Sequence, residues 1–143
     1  VKSPNCGAPR SVGASAFSGN DGITSVDFNN VTKIGKSAFQ SSKTLVSIVG
    51  TKIQEIEQAA FALSSLSEAT LPATLTTIGR MAFMNCKNLA KVTVLATTPP
   101  TVQANTFNGI NANAVLYVPK GKKADYEAQA NWKSKFKEIR ELN

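Results

Sequence analysis

Leu66-Ser-Glu-Ala-Thr-Leu-Pro-Ala-Thr-Leu-Thr-Thr-Ile-Gly-Arg-Met-Ala-Phe-Met-Asn-Cys86 is the stretch that decides the fold of this 143-residue chain. It contains an Ala-Phe pair, and such pairs recur along the chain with a constant 22-residue period. The pairs are Ala16-Phe17, Ala38-Phe39, Ala60-Phe61 and Ala82-Phe83, and a looser copy, Thr106-Phe107, follows after a slightly longer interval. A fixed period of this length is the signature of a repeat architecture. We therefore expect about five units, called rungs below, one for each Phe.

Apolar residues also recur at fixed distances from each Phe, and these columns predict the core. The column five residues before the Phe holds Val12, Ile34, Ile56, Ile78 and Val102. Three more columns follow the Phe by six, nine and eleven residues, and in the first rung they hold Ile23, Val26 and Phe28. The third rung carries its copies of these three columns one residue early, and an extra residue beside Pro72 restores the register. Because one rung cannot bury its own apolar edge, we expect the rungs to stack into a solenoid.

Within a rung, the apolar spacing predicts two short extended pieces. Leu66, Ala69 and Leu71 are spaced as in a strand entered from a bend, and residues 75–78 form a second extended piece. Stacked rungs pair such pieces in parallel ladders. The Ala-Phe pair is expected in a turn of helix after Gly79, with the small Ala where neighbouring backbones approach.

The stretch from Leu66 to Cys86 resembles the BspA-like, or treponemal-type, leucine-rich repeat, with Ala69 where the family pattern has Val. The segment Leu116-Tyr-Val-Pro-Lys-Gly121 with the aromatic residues after it is similar to the closing segment of such proteins in gut Bacteroidetes. The resemblance implies a bacterial protein, secreted or attached to the cell surface, with a role in adhesion to host proteins or to other cells.

These observations together predict an α/β solenoid of the right-handed leucine-rich-repeat type, with short parallel strands, helical turns and a C-terminal strand-helix cap. Residues 1–8 are expected to be an irregular lead-in or a truncated preceding rung. Residues 9–114 form the solenoid, and residues 115–143 form the capping segment, in which Tyr126 and Trp132 cover the last rung. The chain begins on Val1, which favours a processed or truncated protein, so the signal or anchor is expected elsewhere.

The composition argues against catalysis. The chain has no His, the commonest general base and zinc ligand, and its two cysteines, Cys6 and Cys86, have no activating partner at a recognisable spacing. We expect two free thiols. Glu55, Glu57 and Glu68 lie in one region, and a solvated face is favoured there over an acid/base pair. No phosphate loop, calcium loop or dinucleotide fingerprint occurs, so we expect no enzyme, cofactor or metal.

The expected partner is therefore another macromolecule. No apolar run approaches the roughly 20 residues that span a bilayer, so direct membrane insertion is not expected. A protein, host or cell-surface, is the favoured partner, and the chain is expected to be a monomer. Basic residues exceed acidic ones by 16 to 9, which leaves an anionic glycan as an alternative. Nucleic acid is not expected because no aromatic residues alternate with the basic ones to stack on bases.

Stacking places equivalent outward side chains of the strands one above another, and these side chains predict a contact surface. They are small, mildly apolar and nearly uncharged, which suits contact with a protein better than with a phosphate backbone. A plain solvated sheet face is the competing interpretation. The candidate face consists of Thr24, Ser25, Asp27, Val46, Ser47, Val49, Ser67, Glu68, Thr70, Ala90, Lys91 and Thr93.

Two pairs of basic residues fall in register on alternate rungs and predict a sparse basic ridge, with a spacing of roughly 10 Å. The pairs are Lys36 with Arg80 and Lys43 with Lys87. An anionic glycan is the functional interpretation of this ridge, and solvated charge is the competing one. A further alternative for the whole chain is a structural spacer that holds another domain away from a cell envelope.

Overall fold

The computed structural model describes residues 11–24, 26 and 28–143. Its elements are short strands, followed near the C-terminus by two short helices and a last strand. The strands are β1 (Ser11–Val12), β2 (Lys33–Ile34), β3 (Ser47–Val49), β4 (Glu55–Ile56), β5 (Glu68–Leu71), β6 (Thr77–Ile78), β7 (Lys91–Val94), β8 (Val115–Val118) and β9 (Glu138–Glu141). The helices are α1 (Lys123–Glu127) and α2 (Ala130–Lys133).

The strands form two parallel sheets that run along the stack of rungs. Sheet A has the order β1-β2-β4-β6, and sheet B has the order β3-β5-β7-β8-β9. Strand partners in sheet A lie one period of the repeat apart, as in the pair Ile34 and Ile56. In sheet B, Glu68 pairs with Ser47 and with Lys91, which confirms the one-residue shift predicted for the third rung. The predicted parallel solenoid is therefore confirmed.

The Phe residues form a continuous column through the core. Phe17, Phe39, Phe61, Phe83 and Phe107 stack with ring centroids 5.3 to 5.4 Å apart and with nearly parallel planes. Inward side chains from both sheets pack around this column and are buried. Each rung therefore buries its apolar edge against its neighbours, as stacking requires.

The prediction of a helical turn at each Ala-Phe pair is wrong. Each pair lies in a series of tight turns that contains no helix. In the second rung, Ala38 N–H donates to Gly35 O within the turn, whereas Phe39 N–H donates to Ala60 O of the next rung at 2.7 Å. Ser37 and Ser41 have positive φ angles of 57° and 61°. This alternation points every second N–H along the solenoid axis, so the turns form a hydrogen-bonded ladder of their own, here called the turn ladder.

The C-terminal segment closes the stack with more structure than the sequence predicted. After β8, the short helices α1 and α2 bring Tyr126 and Trp132 onto the last rungs, where both side chains are fully buried. The Tyr126 hydroxyl donates to Ala96 O at 2.6 Å, and Trp132 Nε1 donates to Pro100 O at 2.9 Å. The chain then adds β9, which pairs in parallel with β8 and is the outermost strand of sheet B.

Candidate functional site

The outward side of sheet B, with the residues that directly precede its strands, is the candidate site and is called the recognition face below. Alternation along each short strand sends one set of side chains to the core and the other to this face. At β3, Ile48 is buried, whereas Val46 and Val49 are 49% and 54% exposed. Only four large apolar side chains are exposed among the described residues, and these two lie on the same face.

The structure brings most of the predicted face residues together in adjacent rows. Strand pairing aligns Ser47, Glu68 and Lys91 in one row and Val49, Thr70 and Thr93 in another. Backbone hydrogen bonds from one rung to the next link Val46, Ser67 and Ala90 in the row just before the strands. Thr24 is exposed, and Ser25 and Asp27 lie outside the described residues.

One of the predicted face residues, Thr93, has a buried side chain. Its relative accessibility is only 9%, although the side chain belongs to the outward set. The reason lies in the next strand, because Thr93 pairs with Tyr117 and both side chains lie on the same face at one strand spacing. The large Tyr ring next to the small Thr leaves the latter little exposure.

The recognition face extends past the fourth rung, where the residues predicted from the sequence end. Strand pairing continues the rows through Val115 and Glu138, and through Tyr117 and Arg140. The Lys91 ammonium lies 5.3 Å from the centroid of the Tyr117 ring, close enough for a cation–π contact. These residues lie outside the 22-residue period, so no column of equivalent residues marks them. The run of β-branched and aromatic residues at 115–118 is the available sequence signal, and it indicates a strand.

A bidentate ion pair lies at the C-terminal edge of the face. Arg140 Nε and Nη2 donate to the two carboxylate oxygens of Glu138 at 2.7 and 3.0 Å. This guanidinium holds the pKa of the Glu138 carboxyl below its usual range. The recognition face therefore carries its exposed valines in the second rung and a pair of opposite charges at its C-terminal edge.

The predicted basic ridge is two separate rows on opposite sides of the turn ladder. Lys36 and Arg80 lie before the Ala-Phe turns, and Lys43 and Lys87 lie after them, all four exposed. Lys43 Nζ donates to Leu63 O of the next rung at 3.0 Å. Uncharged residues separate the members of each row, so neither row presents contiguous positive charge.

The carboxylates of Glu55 and Glu57 lie in ion pairs, and the thiol of Cys86 lies in the core. The Glu55 and Glu57 carboxylates both face the Lys33 ammonium, at 3.9 and 3.4 Å, as a partly exposed ion-pair cluster. Cys86 is a buried free thiol whose pKa is raised by burial, and Cys6 lies outside the described residues. Within the described part of the chain, no group of three or more His, Cys, Asp or Glu could hold a metal ion.

Within the described ranges, no helix is both long enough and apolar enough to cross a membrane. The longest helix there, α1, has 5 residues.

Comparison with known sequences assigns the family. The sequence profile of the BspA type Leucine rich repeat region matches residues 7–123 in six copies. This chain belongs to the BspA-type leucine-rich repeat family. The sixth copy exceeds the expected number of about five rungs by one. No curated protein sequence matches this BspA-type chain.

A solved structure with the same fold is that of the pneumococcal vaccine antigen PcpA, with a TM-score of 0.55 and 22% sequence identity. The alignment covers 79% of the BspA-type chain and 36% of the antigen chain. The chain thus spans little more than a third of the length of that protein. At this identity the likeness shows the fold alone.

Proposed function

We propose that this BspA-type chain is a recognition module at a bacterial cell surface, which binds another protein through the recognition face and catalyses no reaction. The observation that carries the proposal is the exposure of two large apolar side chains, Val46 and Val49, within four residues of each other on the recognition face. Contiguous exposed apolar side chains on a soluble protein mark interaction sites more often than isolated ones do. Surface location is supported by the family and by the likeness to a bacterial vaccine antigen.

The chemistry of the face favours a protein over a polyanion. Protein interfaces combine an apolar centre with a polar rim, and they are depleted in unpaired charge at the centre. The valines would supply the apolar contact, and Tyr117 with the Glu138–Arg140 pair would supply polar contact at one side. The row of Lys36 and Arg80 lies before the turns, and uncharged residues separate Lys43 from Lys87 in the row after them, so neither row adds contiguous positive charge to this face.

The proposal is tested by binding to immobilised extracellular-matrix proteins and intact host cells, with glycan arrays run in parallel. The variant Val46→Glu/Val49→Glu introduces two charges at the exposed apolar positions without touching the core. We expect the unmodified chain to bind at least one protein, and we expect the variant to lose about tenfold or more in affinity. Binding of the variant at full affinity would contradict the proposal.

The matched control is Thr77→Glu/Thr101→Glu, which places two charges at exposed, paired positions on the outward side of sheet A. We expect this control to bind like the unmodified chain. Equal loss in both variants would indicate a nonspecific effect of negative charge on a basic protein.

Two other functions predict different results in the same assay. An anionic glycan bound by the basic rows would give binding on the glycan array, with affinity that falls steeply as salt is raised. A structural spacer would give no binding on any surface. The protein-recognition proposal expects binding that changes little between about 50 and about 200 mM salt, a range over which phosphate contacts lose most of their affinity.

A further inference from the structure

Strand β9 pairs with β8 on one side, and among the described residues no strand pairs with it on the other. An edge strand of this kind presents backbone N–H and C=O groups to which a further strand can add. Charged side chains usually discourage such addition, and β9 carries three of them, Glu138, Arg140 and Glu141. Which strand can add therefore depends on the order of these charges.

The charge pattern around β9 is complementary to its own reverse. Residues 137–141 read Lys-Glu-Ile-Arg-Glu, with Ile139 in the middle. If two copies of this segment pair antiparallel about Ile139, Glu138 of one copy lies opposite Arg140 of the other. Lys137 then lies opposite Glu141, and two-fold symmetry forms each of these pairs twice. Opposite charges on directly facing residues stabilise a strand pair.

Neighbouring antiparallel registers of the same segment place like charges opposite one another. A slip of one residue sets Lys137 opposite Arg140 in one direction, and it sets Glu138 opposite Glu141 in the other. A slip of two residues sets either Glu138 or Arg140 opposite its own copy. Because facing like charges destabilise a strand pair, the segment favours one antiparallel register over its neighbours.

The structure leaves the central charges accessible to a second copy. The side chains of Glu138 and Arg140 are 45% and 53% exposed, whereas Ile139 faces the core and is 5% exposed. A second strand could therefore meet the charged pair without uncovering the core. The Glu141 carboxylate already accepts the Lys123 N–H at 3.1 Å, so Glu138 and Arg140 should contribute most of the complementarity.

We propose that two copies of this chain associate through antiparallel pairing of their β9 strands, with Ile139 on the two-fold axis and each Glu138 facing Arg140 of the other copy. Sheet B then continues from one copy into the next, so the two recognition faces lie on one continuous sheet. The charge pattern of β9 thus favours a dimer over the monomer expected above. Association through one pair of strands is expected to be weak.

Sedimentation velocity of the unmodified chain tests the association directly. We expect dimers to form as the concentration is raised from about 5 to about 500 μM, the range suited to a weak complex. The variants Glu138→Arg and Arg140→Glu each oppose like charges when they pair with themselves. Each variant alone should therefore associate at least about tenfold more weakly.

An equimolar mixture of the two variants provides the decisive comparison. In a mixed dimer, the two positive side chains of the Glu138→Arg strand face the two negative side chains of the Arg140→Glu strand. We expect the mixture to dimerise about as tightly as the unmodified chain. Misfolded variants could not restore association on mixing, so the recovery separates charge pairing from damage to the fold.

The matched control is again Thr77→Glu/Thr101→Glu, which changes the net charge at exposed positions of sheet A and should dimerise like the unmodified chain. The inference is overturned if the unmodified chain stays monomeric at the highest concentration, or if both single variants dimerise as tightly as it does. A mixture that associates no better than its components also overturns it. No binding partner enters this experiment, so its failure is distinct from failure of the proposed function.

Discussion

At the scale of single residues, the position three after each of the first four Phe residues of the column holds a polar or thiol side chain. The residues there are Asn20, Ser42, Ser64 and Cys86. Ser42 Oγ donates to Phe17 O at 3.1 Å, and Cys86 Sγ donates to Phe61 O at 2.9 Å, so each adds a second donor to a carbonyl of the preceding rung that already accepts a backbone N–H. The Cys86 side chain is therefore both buried in the core and hydrogen-bonded.

The change in the free energy of unfolding when Cys86 is replaced should therefore depend on hydrogen bonding more than on side-chain volume. We expect Cys86→Ser to change the free energy of unfolding by less than about 1 kcal/mol, because a hydroxyl donates the same bond. Cys86→Val keeps a similar volume but removes one of the two donors to Phe61 O and takes from the buried Ser64 Oγ its Sγ partner, which should cost about 1–3 kcal/mol. Urea unfolding of the two variants measures the difference, and equal stability would show that only volume matters.

A second residue-scale feature is the left-handed backbone at one or two positions of each turn in the turn ladder, most of which hold a residue other than Gly. Leu63 has a φ of 60° and is partly exposed, whereas the equivalent positions of the first, fourth and fifth rungs hold Gly19, Asn85 and Gly109, residues suited to that conformation. Left-handed backbone costs roughly 1–2 kcal/mol for most residues and less for Asn.

Leu63→Asn should accordingly stabilise the protein, by about 0.5 kcal/mol, since Asn adopts this backbone at a lower cost. The matched control Leu63→Val introduces a β-branched side chain, which tolerates positive φ least, and should destabilise it. Thermal unfolding of both variants checks the order, and a less stable Asn variant would mean that the exposed Leu side chain contributes packing that outweighs the backbone strain.

At the scale of elements, the parts of the chain that obey the period were predictable and the parts that depart from it were not. The register of both sheets could be predicted because inward residues such as Ile34 and Ile56 recur at a fixed spacing. The turn ladder could not, since Ser37 and Ala59 carry no signal for positive φ, and a helical turn fits the same apolar spacing. Strand β9 lies beyond the last repeat, so no column marked Ile139 as a core residue.

The stability that the capping segment contributes should depend on the Trp132 side chain more than on the short helices α1 and α2. Trp132→Phe keeps a ring against Phe107 but loses the hydrogen bond to Pro100 O, which should cost about 1–2 kcal/mol. Trp132→Ala also removes the ring and should cost about 3–5 kcal/mol. Chemical denaturation gives both values. If the two variants were equally stable, the ring would contribute nothing to closing the stack.

At the scale of the whole molecule, two sheets and a turn ladder give the solenoid three long surfaces with different chemistry. The outward side of sheet A carries the Lys33–Glu55 pair and threonines, the turn ladder is flanked by separated basic residues, and the recognition face carries the exposed valines. The sequence predicted most members of that face, because stacking aligns equivalent residues. It could not predict the burial of Thr93, which depends on Tyr117 in a strand outside the period.

Hydroxyl-radical footprinting of the chain, free and bound to a protein identified in the binding assays, tests the assignment of the recognition face most directly. The account predicts that bound protein slows oxidation of Val46, Val49 and Tyr117 and leaves the exposed Leu63 of the turn ladder unchanged. Protection of Leu63 with unchanged oxidation of the two valines would contradict it.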